Sequence, residues 1–142
     1  MKIRELMTDH VIGIEPEESV AVAARTLAHY NIGVLPVCRN GKLYGVVTDR
    51  DLVTRCVAAG KSPEHTTVRE IMTAGVVSVD PDADAAAAAR IMGRRQIRRL
   101  PVVAEGKLCG MVSIGDMARR EEMAYDAGDA LAEISGNLSE RG

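Results

Sequence analysis

Residues 3–52 of the chain lie over residues 68–117 at a constant offset of 65, without a gap, and 20 of the 50 pairs are identical. Arg4-Glu5-Leu6-Met7-Thr8 matches Arg69-Glu70-Ile71-Met72-Thr73, and Leu35-Pro36-Val37 matches Leu100-Pro101-Val102. Gly41-Lys42-Leu43 repeats as Gly106-Lys107-Leu108, and Gly45 as Gly110. Two copies at this spacing are a tandem duplication, not a solenoid, which needs at least three short units to bury a continuous core. A unit of about 60 residues buries only about 60% of its unfolded surface and is marginal alone. The copies are therefore expected to pack on each other as one body, with any cleft between them present in two related versions.

Each copy reads as the same string of elements. A lead-in ends at Met7-Thr8 (Met72-Thr73), and a β-branched stretch follows, Val11 to Ile14 (Val76 to Val79), predicted as a strand. Pro16 (Pro81) breaks it, and Ser19 (Asp84) stands where an N-cap is needed. The next helix is expected to run to about His29 in copy one and Arg94 in copy two. Val34–Cys38 and Leu43–Val47 read as strands joined by Asn40-Gly41, a pair that tolerates the positive φ of a tight hairpin. Copy two has Glu105-Gly106 there. A closing helix is expected over Asp49–Ala59 and from Gly115 to about Glu122. The order is β-α-β-β-α, twice. Gly60-Lys61-Ser62-Pro63 opens a linker, and the tail beyond Met123 has helical character but matches neither copy.

Composition narrows the chemistry. The aromatics are Tyr30, Tyr44 and Tyr125 alone, so the core must be built from Val, Ile, Leu, Met and Ala. A net charge of −2 gives no global pull toward nucleic acid or membrane, and bases would find almost no aromatic platform to stack on. No apolar run is long enough to span a bilayer, and the start lacks the apolar stretch of a signal peptide. Cys38, Cys56 and Cys109 fit no zinc spacing and read as reduced thiols of a cytoplasmic protein. No nucleophile with an oriented base is apparent, so no catalytic residue is assigned. His10, His29 and His65 are dispersed, and no metal site is assigned.

Each last strand runs into its helix through Gly45-Val-Val-Thr48-Asp-Arg-Asp51 and Gly110-Met-Val-Ser113-Ile-Gly-Asp116. With the Leu-Pro-Val strand, the Gly-Lys-Leu hairpin and the duplication, the chain resembles the CBS domain family over roughly residues 1–122. It looks like a tandem CBS pair, or Bateman module. The resemblance implies a mixed α/β (α+β) fold of two β-α-β-β-α repeats related by pseudo-two-fold symmetry. CBS domain 1 would span residues 1–60, a linker 61–67, CBS domain 2 residues 68–123 and the tail 124–142.

The resemblance also implies an adenosine-containing ligand. In many members the Gly-x-x-Thr/Ser-x-x-Asp segment binds ribose, which by position makes Thr48 with Asp51 and Ser113 with Asp116 the ribose candidates. A carboxylate accepts hydrogen bonds from two vicinal hydroxyls, and such charge-assisted bonds are strong. The stretches containing Val11 and Ile14, and Val76 and Val79, would flank adenine. Arg98 and Arg99 stand where relatives meet ligand phosphates, and Arg50 is a further candidate. The same Thr/Ser-x-x-Asp spacing also fits a helix capping box. Strand alternation sends Arg98 and Arg99 to opposite faces.

The expectation is a non-enzymatic regulatory module that binds AMP, ADP, ATP, S-adenosylmethionine or an NAD-type dinucleotide. It needs no cofactor and signals to a protein partner in trans, as a homodimer. Small free-standing members include stress-induced proteins. The Ala-rich second helix and Met92, Met111 and Met117 suit helix faces that pair or intramolecular packing equally. The alternative is a ligand-free CBS-pair scaffold that acts through its dimer, tail and Arg cluster.

Overall fold

The computed structural model describes residues 1–141, the last five by backbone alone; Gly142 of the tail lies outside the described residues. Two compact units result, and they do not follow the repeats along the chain. One combines Met1–Val11 and Val77–Glu105 with the chain from Cys109 onward; the other is Ile12–Val76 with Gly106–Leu108.

The second of these holds the body of the first repeat. Helix α1 (Val20–Tyr30) starts at Ser19, whose hydroxyl accepts the Val22 N–H, and stops at Asn31 in the left-handed conformation. Strands β1 (Val34–Arg39) and β2 (Lys42–Thr48) pair antiparallel about Asn40-Gly41, both at positive φ. Helix α2 (Asp49–Asp51) widens directly into π-helical turns over Leu52–Val57. The unit is closed by the lead-in of the other repeat: α3 (Val68–Ile71) and β3 (Thr73–Ala74), which pairs with β2 at Gly45 and Val46. Leu35, Val37, Val47, Val68 and Ile71 form the centre of its core.

The other unit repeats the plan with the roles exchanged. Helix α4 (Ala85–Arg95) ends at Gln96, again left-handed, and β4 (Arg99–Ala104) and β5 (Lys107–Ser113) form a hairpin about Glu105-Gly106, both at positive φ. Glu105 thus adopts the same turn as Asn40, without asparagine's tolerance for it. Helix α5 (Ile114–Ala118) follows. The lead-in of the first repeat closes this unit: Thr8 and Met111 exchange both backbone hydrogen bonds, at 2.8 and 3.0 Å. Subtracting or adding the offset of 65 converts this pair into Thr73 and Val46, the pairing seen in the first unit described. Each repeat therefore completes the other.

The predicted strands at Val11–Ile14 and Val76–Val79 do not form. Only Ile14 and Val79 enter ladders, as single parallel bridges to Val37 and Val102. Pro16 and Pro81, two residues on, have no N–H to extend the ladder. In α-helical terms the closing helices are shorter than expected: the first passes at Leu52 into a π-helix that runs to Val57, and the second ends at Ala118. The tail is helical as predicted: α6 (Ala124–Arg141) packs on α4 and α5. Met92 and Met117 are fully buried in that unit's core, so intramolecular packing claims both.

Ion pairs hold the exchanged lead-ins. Arg4 reaches Asp82 at 2.7 Å, and its counterpart Arg69 reaches Glu17 at 2.8 Å. The hydrogen bond from Arg4, with its positive charge and that of Lys2, holds the Asp82 carboxyl below its usual range. Backbone and side-chain hydrogen bonds from Thr67 do the same for Glu70 at the start of α3. A carboxylate depressed on folding contributes stability that is complete above its unfolded value and lost as pH falls through the folded one. Melting temperature should therefore fall on acidification through and below the carboxylate range, less steeply in an Asp82→Asn, Glu70→Gln variant. Parallel melting curves against pH for the two proteins would show that these contacts carry none of the acid sensitivity.

Candidate functional site

The strand-to-helix turns place the four ribose candidates in two matching constellations, one per unit. The Asp51 N–H donates to Thr48 Oγ1 at 3.0 Å and the Thr48 N–H donates to Asp51 Oδ2 at 3.0 Å. The Ser113–Asp116 pair repeats this at 3.0 and 2.9 Å. Both turns are thus reciprocal capping boxes, which satisfy two orphan helix donors each. The box uses one carboxylate oxygen and leaves the other aimed elsewhere. In the first repeat, Asp51 Oδ1 lies 3.7 Å from Arg55 Nε; in the second, Asp116 Oδ1 accepts from Arg119 Nη2 at 3.1 Å. Asp51 is 8% exposed, so its charge is kept out of bulk water and depends on these partners.

The Thr/Ser-x-x-Asp motif does not mark Arg55 and Arg119, although Asp51 and Arg55 stand at i,i+4 and Asp116 and Arg119 at i,i+3, the spacings at which helical side chains meet. Arg55 also donates to the carbonyls of Ile71 and Met72 at 3.3 and 3.2 Å. It therefore touches both the Asp51 carboxylate and the lead-in of the other repeat. In the second repeat the two tasks are divided: Arg119 meets Asp116, and Arg120 donates to the Glu5 carbonyl at 2.9 Å.

Ile14 and Val79 are buried in the two cores, and their backbones bond β1 and β4, while Ile12 and Val77 are half-buried. Val11 belongs to the unit of Ser113 and Asp116, and Val76 to that of Thr48 and Asp51, the reverse of their order in the chain. Arg98 lies beside the second constellation, where its carbonyl accepts the Ile114 N–H at 2.9 Å. Arg98, Arg99 and Arg50 are all exposed. Among the described residues neither Arg98 nor Arg99 is held in an ion pair. Cys38, half-buried beside Gly13, has its thiol pushed up by burial and then by the charge of Glu15. Among the described residues no three His, Cys, Asp or Glu side chains are grouped to hold a metal, and no helix is long and apolar enough to cross a membrane.

Known proteins with this arrangement are numerous. The CBS domain family matches residues 3–58 and 68–122. CBS domain-containing protein YhcV of Bacillus subtilis is 36% identical over 133 residues, covering 94% of each chain. Hypoxic response protein 1 of Mycobacterium tuberculosis is 34% identical over 117 residues, covering 82% of each. Among solved structures, the CBS domain pair of protein MJ0100, in complex with 5′-methylthioadenosine and S-adenosyl-L-methionine, superposes with a TM-score of 0.75 at 28% identity. That match covers 84% of this chain and 94% of the other.

Proposed function

The chain belongs to the CBS domain family, and from that membership we propose that it is a regulatory module that binds an adenosine-containing ligand at the Thr48–Asp51 and Ser113–Asp116 turns. The observation that carries this reading is the spare carboxylate oxygen. In each repeat the capping box fixes Asp51 or Asp116 through one oxygen, and the other, paired among the described residues with Arg55 or Arg119, keeps acceptor capacity for the vicinal hydroxyls of a ribose. The adenine would lie against the backbone of the stretches at Ile12 and Val77. The MJ0100 pair, alike in fold, is solved with two adenosine-derived compounds, which supports this ligand class here. AMP, ADP, ATP and NAD-type dinucleotides remain in the same class.

Ligand binding would act by shifting a conformational equilibrium, since a ligand moves it only by its difference in affinity for the two states. The signal would pass in trans to a partner protein, in a cytoplasmic and stress-related setting, and the chain itself would catalyse nothing. A homodimer belongs to the reading: Val53 and Val57 are 58% and 65% exposed on the closing helix of the first repeat. The capping boxes favour the alternative, a ligand-free scaffold, because they already give Thr48 and Ser113 a complete structural role.

Thermal melts with adenosine, AMP, ATP, S-adenosylmethionine and NAD separate the two. A ligand at 100 times its Kd should add about 2.7 kcal/mol of stability. The shift should vanish in Asp51→Asn or Asp116→Asn, whichever site is used. No shift with any compound, and variants merely less stable from a weakened cap, would leave the scaffold.

A further inference from the structure

The two constellations differ in charge at matched positions. In the second repeat the Ile114 N–H donates to the Arg98 carbonyl at 2.9 Å; in the first, the same bond runs from the Asp49 N–H to the Gly33 carbonyl at 3.1 Å. The backbones are therefore equivalent, and the side chains are exchanged in kind. Where the second repeat presents an arginine beside isoleucine, the first presents an aspartate beside glycine. A Cβ on Gly33 would meet Asp49 Oδ2 at 3.4 Å, so the carboxylate covers the place from which Arg98 projects in the other repeat.

Across the matched positions His29, Tyr30, Gly33, Val34, Asp49 and Arg50, the formal charge is zero, as Asp49 cancels Arg50. Their counterparts Arg94, Arg95, Arg98, Arg99, Ile114 and Gly115 sum to +4. Asp49 Oδ1 accepts the Arg50 N–H at 2.8 Å, which fixes the carboxylate at the start of α2, one residue from Thr48.

We propose that Asp49 is a specificity-determining residue that makes the site of the first repeat select adenosine compounds without a phosphate, while the second accepts phosphorylated ones. The inference rests on the adenosine-binding reading above and adds the charge class to each site. A 5′-phosphate extending from a ribose held at Asp51 would meet the Asp49 carboxylate with no basic residue at position 33 and with the charge of Arg50 formally cancelled by Asp49 itself. A dianion about 5 Å from one carboxylate in water-like surroundings loses roughly tenfold in affinity. The penalty is exposed, so added salt screens it.

The test is calorimetric titration of adenosine and of AMP, two probes that differ only in the phosphate. It uses Asp116→Asn protein, which leaves the first site alone, with and without Asp49→Asn. The first site should prefer adenosine, and Asp49→Asn should tighten AMP about tenfold at low salt without altering adenosine. At higher salt the gap between the two proteins should narrow. An AMP-to-adenosine ratio unchanged by Asp49→Asn, or adenosine binding only at the second site, would overturn the assignment of Asp49 while leaving adenosine binding intact. Failure of the wild-type protein to bind either probe, or any other adenosine compound in the melting panel, would remove the binding reading and this inference with it.

Discussion

Replacing Gly45 by alanine should destabilise the unit that holds the first repeat by about 3 kcal/mol, near the top of the range for overpacking. The cause is contact, not backbone conformation. A Cβ at position 45 would overlap the carbonyl oxygen of Thr73 and stand 3.3 Å from the Cα of Ala74. Both are backbone atoms of β3, the exchanged lead-in strand, and cannot swing aside as a side chain does. Relief would require parting β2 from β3, which also sacrifices the pairing at Gly45 and Val46. Gly110→Ala should cost about 2 kcal/mol, because the new Cβ would lie 2.8 Å from both the Thr8 carbonyl oxygen and Met7 Sδ. The methionine can move and the carbonyl cannot. Gly128→Ala is the control: nothing lies within 4 Å of its Cβ, and in an exposed helix interior the change should stabilise by up to about 1 kcal/mol. Urea unfolding of the three variants measures all of these. Costs below about 0.5 kcal/mol at both Gly45 and Gly110 would mean that the lead-ins are not held this closely.

The same glycines show what was legible in the chain beforehand. Their recurrence at a fixed offset marked the duplication, and the hairpins, the first helix of each repeat and the capping spacing could be read from local rules. The exchange of lead-ins could not, because Arg4 and Arg69 carry no mark of which acid they will meet 78 or 52 residues away. Local composition points the wrong way at Val11–Ile14 and Val76–Val79, where β-branched residues argue for strands and a proline two residues on limits each to one bridge. At the site, the motif located both carboxylates. The offset of 65 already sets Asp49 against Ile114; what the structure adds is that both make the same backbone hydrogen bond and that the Asp49 carboxylate lies over position 33.

Truncating the chain after Met123 should unfold or nearly unfold the unit containing the second repeat while leaving the other folded. Helix α6 buries Ala127, Ala130 and Ile134 against α4 and α5, each less than 5% exposed. The fit is close: a Cβ on Gly93 of α4 would lie 3.3 Å from the Cα of Ala130. A small residue at 93 therefore serves the tail. Matched positions on α1 carry no such cover. Ala24 and Ala28 are exposed, whereas their counterparts Ala89 and Gly93 are buried. At about 1.5–3 kcal/mol for a fully buried Ile side chain, with smaller gains from the two alanines and from the face of α4 they cover, losing α6 costs roughly 5 kcal/mol. That is as large as the whole stability of many small domains. Native-state hydrogen exchange resolves the two units separately, and protection should collapse over Val77–Glu105 but persist over Ile12–Val76. Equal loss in both would mean that the units unfold as one cooperative body. No loss in either would mean that α6 is an appendage, and that the alanines of α4 are buried by something other than the tail.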